Sequence, residues 1–293
     1  MKIPKPRITA LDIILGLLFL TAAIYIVYRI RAGLQYQWQW ESIPRYLFRY
    51  DSEKEKWISN LLMQGFFTTI RLSIWASLLA LCFGTVMGFF RTGKSLFKRL
   101  LGGTYVEMIR NLPPLVLVFI FYFFISDQIM PFLGVEDFIR SRSEFTQHIL
   151  GFFFAPPRFF STFMAGVISL AVFEGAYITE IVRAGIQSVE KEQWEASAAL
   201  GFSRWQQMRH IILPQALQRI LPALAGQFIS VIKDSSIVSV ISIQELTFQG
   251  MELVASTYLT FEIWITVTVL YLVLTLTCSL IVERLELRMR LEK

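Results

Sequence analysis

Four charged residues sit inside long apolar runs: Arg71, Glu174, Lys233 and Asp234. A guanidinium presents a planar fork that matches a carboxylate, and a carboxylate can receive an ammonium. Such groups are costly in hydrocarbon, so those that persist face a cavity or a partner. Ser235 and Ser236 follow Asp234 directly, which makes 233–236 a polar break inside an apolar run. Two readings stay open. The charges line a polar pathway, or they pair (Arg71 with Glu174, Lys233 with its neighbour) and only hold helices together. Glu180 and Arg183, three apart, read as an ordinary pair on one helix.

Residues 88–95, GFFRTGKS, fit the phosphate-binding pattern GxxxxGKS letter for letter. The chemistry of that pattern needs a strand before the loop and a helix whose first amides wrap the phosphates. Here an apolar helical run precedes it, and Phe89 and Phe90 fill the part that must hug the phosphates. The pattern therefore reads as a basic turn at a membrane surface, and the chain is not expected to hydrolyse ATP.

The elements that carry these residues are membrane spans. Of 293 residues, 55% are hydrophobic and only 17% charged, too little charge to cover a large soluble helical core. The expected fold is all-α and multi-pass, with about six transmembrane helices at 10–28, 61–90, 113–130, 159–182, 217–243 and 261–282. Each run is near the roughly 20 residues that a helix needs to cross a bilayer. The first run follows a basic start, as a signal peptide would, but it is longer than a signal core and Arg29-Ile30-Arg31 follows it; it reads as a retained helix. Residues 1–60 form an extra helix with an aromatic-rich outer loop, 61–284 the membrane domain and 285–293 a tail. The stretch 127–158 reads as a loop.

With the N-terminus inside, segments on the inner side hold 17 Lys and Arg and those on the outer side 9. That bias places both termini in the cytoplasm. The net charge of +6 suggests inner loops rich in Lys and Arg, beside membrane lipid, rather than nucleic-acid binding. Cys82 and Cys278 lie in apolar runs and His148 and His210 are far apart, so no disulfide, metal site or cofactor is expected.

Between the fourth and fifth spans lies a polar stretch, 195–214, EASAALGFSRWQQMRHIILP. Residues 191–200 have helix-forming composition with Ser188 positioned to cap them, and Gly201 can close the helix in a left-handed conformation. Ser203 with Gln206 has capping-box spacing. Trp205, Met208 and Ile212 share one face of a second helix, and Pro214 marks its end. Two short helices meeting at a glycine, with Trp194 and Ala198 on a narrow stripe, make a knob suited to docking a cytoplasmic partner.

Glu195-Ala196-Ser197, Gly201, Ile211, Leu213 and Pro214 resemble, in identity and spacing, the EAA motif of permease subunits of type I ABC importers; Ser197 stands where the pattern has alanine. Ala176-Tyr177-Ile178, residues 180–189 and Ile232-Lys233-Asp234-Ser235-Ser236 look like the polar amino-acid uptake branch of that family. The resemblance spans roughly 61–283. It implies an inner-membrane permease with a coupling loop at Trp194, Glu195, Ala196, Ala199, Gly201, Ile211, Leu213 and Pro214. It also implies ATP-binding cassette subunits, a second permease copy (identical or related) and an extracytoplasmic solute-binding protein. For a zwitterionic cargo, Arg71 would take the carboxylate and Glu174 or Asp234 the ammonium, with Lys233 and Ser235 beside the pathway.

Other classes fit less well. An intramembrane enzyme needs a nucleophile beside a base, and the serines in spans have no nearby base. A self-sufficient secondary transporter has no use for the knob, whereas a permease for another small polar solute would share every feature above.

Overall fold

Alanine and glycine recur every fourth residue along the second apolar run, at 76, 80, 84 and 88. On a helix that spacing makes one smooth ridge, which lets another backbone approach closely. The computed structural model, which describes residues 9–33, 36–53 and 55–291, shows that ridge buried in the tightest helix pair of the chain. Helix α3 (Leu61–Thr92) packs along α9 (Phe160–Gln187), and α9 is the most enclosed of the spans. A Cβ added at Gly84 would lie 2.7 Å from the Gly175 carbonyl oxygen, and one at Gly88 2.7 Å from Val182 Cβ. Gly88 is thus a packing residue deep in a helix, not part of a phosphate loop.

In chain order, α1 (Ala10–Gly33) precedes a short helix α2 (Ile43–Leu47) and an antiparallel hairpin, β1 (Phe48–Asp51) with β2 (Lys56–Ser59). After α3 come α4 (Leu96–Asn111), α5 (Pro114–Phe124) and α6 (Met130–Phe132), the last two joined by a π-turn at Ile125–Ile129. Helices α7 (Val135–Arg140) and α8 (Glu144–Phe153) follow, then α9, α10 (Lys191–Ala199) and α11 (Arg204–Gln206). A π-turn at Gln207–Ile212 leads into α12 (Leu213–Asp234), a 3-10 segment Ser235–Ile241, α13 (Leu246–Thr257) and α14 (Thr260–Leu291).

Among the described residues, five helical stretches are long and apolar enough to cross a membrane: Leu61–Thr92, Pro114–Phe132, Pro157–Gln187, Arg204–Ile241 and Thr260–Arg284. The first expected span, 10–28, falls on α1, whose shorter apolar stretch is Ala10–Ile26. The chain divides into two units, one ending at Trp40 and one beginning at Glu41. The basic start at 1–8 and the last two residues of the tail lie outside the described residues.

Leu72, Val106, Val118, Phe163, Leu170, Phe173, Val231 and Val238 form the largest buried cluster, which joins α3, α4, α5, α9 and α12. A separate cluster of Ile43, Leu62, Leu246 and Ile263 pins α2 and α13 to the starts of α3 and α14.

Several boundaries differ from expectation. Residues 127–158 are mostly helical: Gly134 at φ +60° starts α7, and Ser143 accepts from the Thr146 N–H to cap α8. Part of the outer loop pairs as the hairpin, with Tyr50 opposite Trp57 and their rings 5.7 Å apart. Ser188 does not cap α10; its hydroxyl donates to the Gly185 carbonyl, and Glu190 holds the N-cap position. Pro214 does not end a helix. It stands inside the continuous helical stretch Arg204–Ile241, where the π-turn just before it accommodates a residue without an N–H.

Candidate functional site

Knob, cavity and buried charge cluster are three separate places in the structure. The knob is built first by its turn. Gly201 adopts φ +81°, as the spacing predicts, and the Phe202 N–H donates to the Ser197 carbonyl across 3.1 Å to close α10. The Ser203 N–H donates to Gln206 Oε1 at 2.8 Å while the Gln206 N–H reaches back to Ser203 Oγ, so the expected capping box is present. Gln215 on α12 donates to Gln193 Oε1 on α10 at 3.3 Å, tying the knob to the fifth span.

The coupling residues divide by direction. Trp194, Met208 and Ile211 pack against Ile186, Val189, Ile212 and Ala216, which seats the knob on the ends of α9 and α12. Leu213 is half-buried. Glu195, Ala196, Ala199, Gly201 and Pro214 are exposed, with Glu195 paired to Lys191 at 2.9 Å. Trp205 does not share a buried face with Met208 and Ile212. The π-turn between them rotates the register, leaving Trp205 68% exposed while Ile212 is fully buried. Leu200, 75% exposed, stands beside the turn. Sequence reasoning did not single out Leu200; its signal is a large apolar residue in an otherwise polar stretch. Ser197, the one departure from the motif, is buried and donates to the Trp194 carbonyl.

Arg71 and Glu174 do not form an ion pair, so that reading is corrected. The Arg71 guanidinium donates from Nη1 to the Gly151 carbonyl at 2.8 Å and from Nη2 to Thr68 Oγ1 at 3.1 Å. Its cation therefore sits at the C-terminal end of α8, where the helix dipole is negative. Trp75, one turn further along α3, donates to the Phe153 carbonyl at 2.9 Å. Together they fasten α8 over a cavity of about 1120 Å³ lined by Gln64, Arg71, Trp75, His148, Gln244 and Gln249, among others. Gln249 is 3% exposed, and its Oε1 accepts no hydrogen bond among the described residues.

Glu174, fully buried on α9, lies elsewhere. It accepts a hydrogen bond from Gln227 on α12 and faces Asp234. Gln227 is seven residues before Asp234, two helical turns, so both present to Glu174 from one face of α12. Sequence reasoning passed over Gln227 because it is uncharged; the seven-residue spacing was the signal. Ser235 is buried, with its hydroxyl donating to the Ile232 carbonyl where α12 gives way to the 3-10 segment. Lys233 is exposed and makes no ion pair with its neighbour. Nearer the knob, Glu180 binds both Arg183 on its own helix and Arg91 on α3, so the expected pair is a triad.

Residues 80–291 match the family described as "Binding-protein-dependent transport system inner membrane component". The chain belongs to that family. It is a multi-pass inner-membrane permease. The glutamine transport system permease protein GlnP of Escherichia coli (strain K12) is 34% identical over 268 residues, covering 88% of this chain and all of the relative. The probable glutamine ABC transporter permease protein GlnM of Bacillus subtilis (strain 168) is 35% identical over 232 residues, covering 78% of this chain and 94% of the relative. A crystal structure of an amino acid ABC transporter with histidines superposes with TM-score 0.65 at 30% identity, over 86% of this permease and all of that chain. An inward-facing MetNI methionine ABC transporter shares the fold, with TM-score 0.57 at 19% identity over 77% and 94% of the two chains.

Proposed function

We propose that this permease carries a polar amino acid of the glutamine type inward, driven by ATP hydrolysis on a separate subunit. The observation that carries the reading is the knob: a rigid turn at Gly201 presents Leu200 and Trp205 to solvent, while Trp194 and Ile211 anchor it to two spans. An ATP-binding cassette subunit docks on that surface. Its closure moves the knob, and the spans rock to alternate access. An extracytoplasmic solute-binding protein delivers the cargo, and a second permease copy completes the pathway. Residues 1–60 add a helix and a hairpin to the permease domain at 61–284, and the tail at 285–293 is cytoplasmic with the N-terminus.

The cargo reading is supported by the cavity beneath α8, where Arg71 supplies a cation and Gln249 a buried free acceptor. The facing carboxyls of Glu174 and Asp234 supply hydrogen-bonding groups further along the pathway, at the break marked by Lys233 and Ser235. The chain contributes no ATPase site of its own, since the phosphate-loop pattern begins with Gly88 buried against Val182.

Labelling tests the orientation on which docking depends. A cysteine at Ser203 should react only from the cytoplasmic side and one at Ser143 only from outside. The opposite pattern would remove the knob from the reach of any ATPase.

A further inference from the structure

The basic turn that mimics a phosphate loop has a use unrelated to nucleotide. A second cleft, of about 490 Å³, opens between the end of α3, the start of α4 and the start of α10. Arg91, Arg99 and Lys191 line it from three different helices, and no carboxylate is among its lining residues. Thr92 and Gln187 add neutral hydrogen-bonding groups, and Trp194 forms an apolar wall.

Each cation is held in place or free to turn inward. Arg91 is bound on one side by Glu180, which it shares with Arg183, so two guanidiniums meet one carboxylate and positive charge is left over. Its stem lies against Gly102 of α4, where an added Cβ would come within 2.8 Å of Arg91 Cγ. Arg99 has no carboxylate partner within ion-pair distance among the described residues. Among the described residues Lys191 pairs only with exposed Glu195, a surface contact worth little and easily exchanged. The first turn of α10 has no side-chain cap; there the Gln193 N–H donates to the Glu190 carbonyl at 3.1 Å.

We propose that this cleft binds a phosphate-bearing anion, either the headgroup of an anionic phospholipid or free phosphate. Basic pockets between spans at the cytoplasmic face suit such headgroups, and Trp194 suits the boundary between headgroup and chain. A bound phosphate bridges α3 and α4 to α10, and so fixes the knob against the spans that it moves. The site stands on its own geometry. Only its assignment to the inner leaflet rests on the orientation proposed above, which cysteine labelling tests separately.

The test uses the purified full-length chain in detergent, with phosphatidylglycerol, phosphatidylcholine or inorganic phosphate added and binding read by native mass spectrometry. Wild type is expected to retain phosphatidylglycerol over phosphatidylcholine, and R99Q/K191Q to lose about tenfold to thirtyfold in affinity, as two cations near a charged headgroup imply. R99K should keep most of the binding, and K98Q/R209Q, which removes equal charge outside the cleft, should keep all of it. Equal retention of both lipids, together with phosphate binding lost in R99Q/K191Q, would identify free phosphate as the occupant. Binding of every probe unchanged in R99Q/K191Q, or lost equally in K98Q/R209Q, would overturn the site.

Discussion

The Arg71 guanidinium on α3 donates to the Gly151 carbonyl on α8, 2.8 Å away, and so a half-buried charge in a span holds the last turn of α8. Hydrogen bonds from a charged donor contribute about 1.5–3 kcal/mol each, and Arg71 makes several to backbone and Thr68. Arg71→Lys keeps the charge and loses the fork. Amide hydrogen exchange in α8 should then quicken, and uptake at low substrate concentration should fall roughly tenfold. Unchanged exchange with weakened uptake would instead make Arg71 a direct substrate ligand.

Coupling should fail when the knob's turn is spoiled. Gly201 is at φ +81° with open space around its Cα, so a side chain there meets backbone strain of about 1–2 kcal/mol rather than a clash. Gly201→Leu is expected to insert and fold normally while ATPase stimulation by substrate is lost. Wild-type stimulation in that variant would dismiss the docking role.

At the α3–α9 contact the problem is space. Gly84→Val should lower the thermal midpoint of the purified chain through an overpacking cost of about 1–3 kcal/mol. Gly103, on the open side of α4 with nothing within 4 Å of an added Cβ, is the control: Gly103→Ala should be neutral or slightly stabilising.

Stability should fall with rising pH through one carboxyl between the last two spans. Glu245 is fully buried at the N-cap of α13, accepting from the Phe248 N–H at 2.8 Å, the Tyr271 hydroxyl of α14 at 2.7 Å and the Thr69 hydroxyl of α3 at 3.3 Å. Burial pushes its pKa from an ordinary 4.5 up to about 6, outweighing the hydrogen bonds that pull it down. A raised folded-state value means that its contribution, about 2 kcal/mol, is complete below pH 4.5 and is lost as pH rises through 6. Thermal midpoints measured from pH 4 to 8 should show this decline, and Glu245→Gln should flatten it.

What the residues determine alone is what depends on local pattern and composition. Uninterrupted apolar runs must become spans because a bilayer leaves backbone groups no other partner. Gly201, Ser203 and Gln206 specify their turn through contacts within a few residues, and the spacing of the EAA-like motif places the family. Only the tertiary structure decided which charges meet. Arg71 goes to α8, Glu174 to Gln227 and Asp234, and Arg91 to Glu180, because helix rotation and crossing set side-chain partners across gaps of tens of residues. The same holds for Trp205, turned outward by a π-turn that no hydrophobic period announces, and for Gly88, whose letters suggest phosphate chemistry until α9 is found pressed against it. Depth along a helix is readable from a count of residues. The direction a side chain faces is settled by what packs beside it.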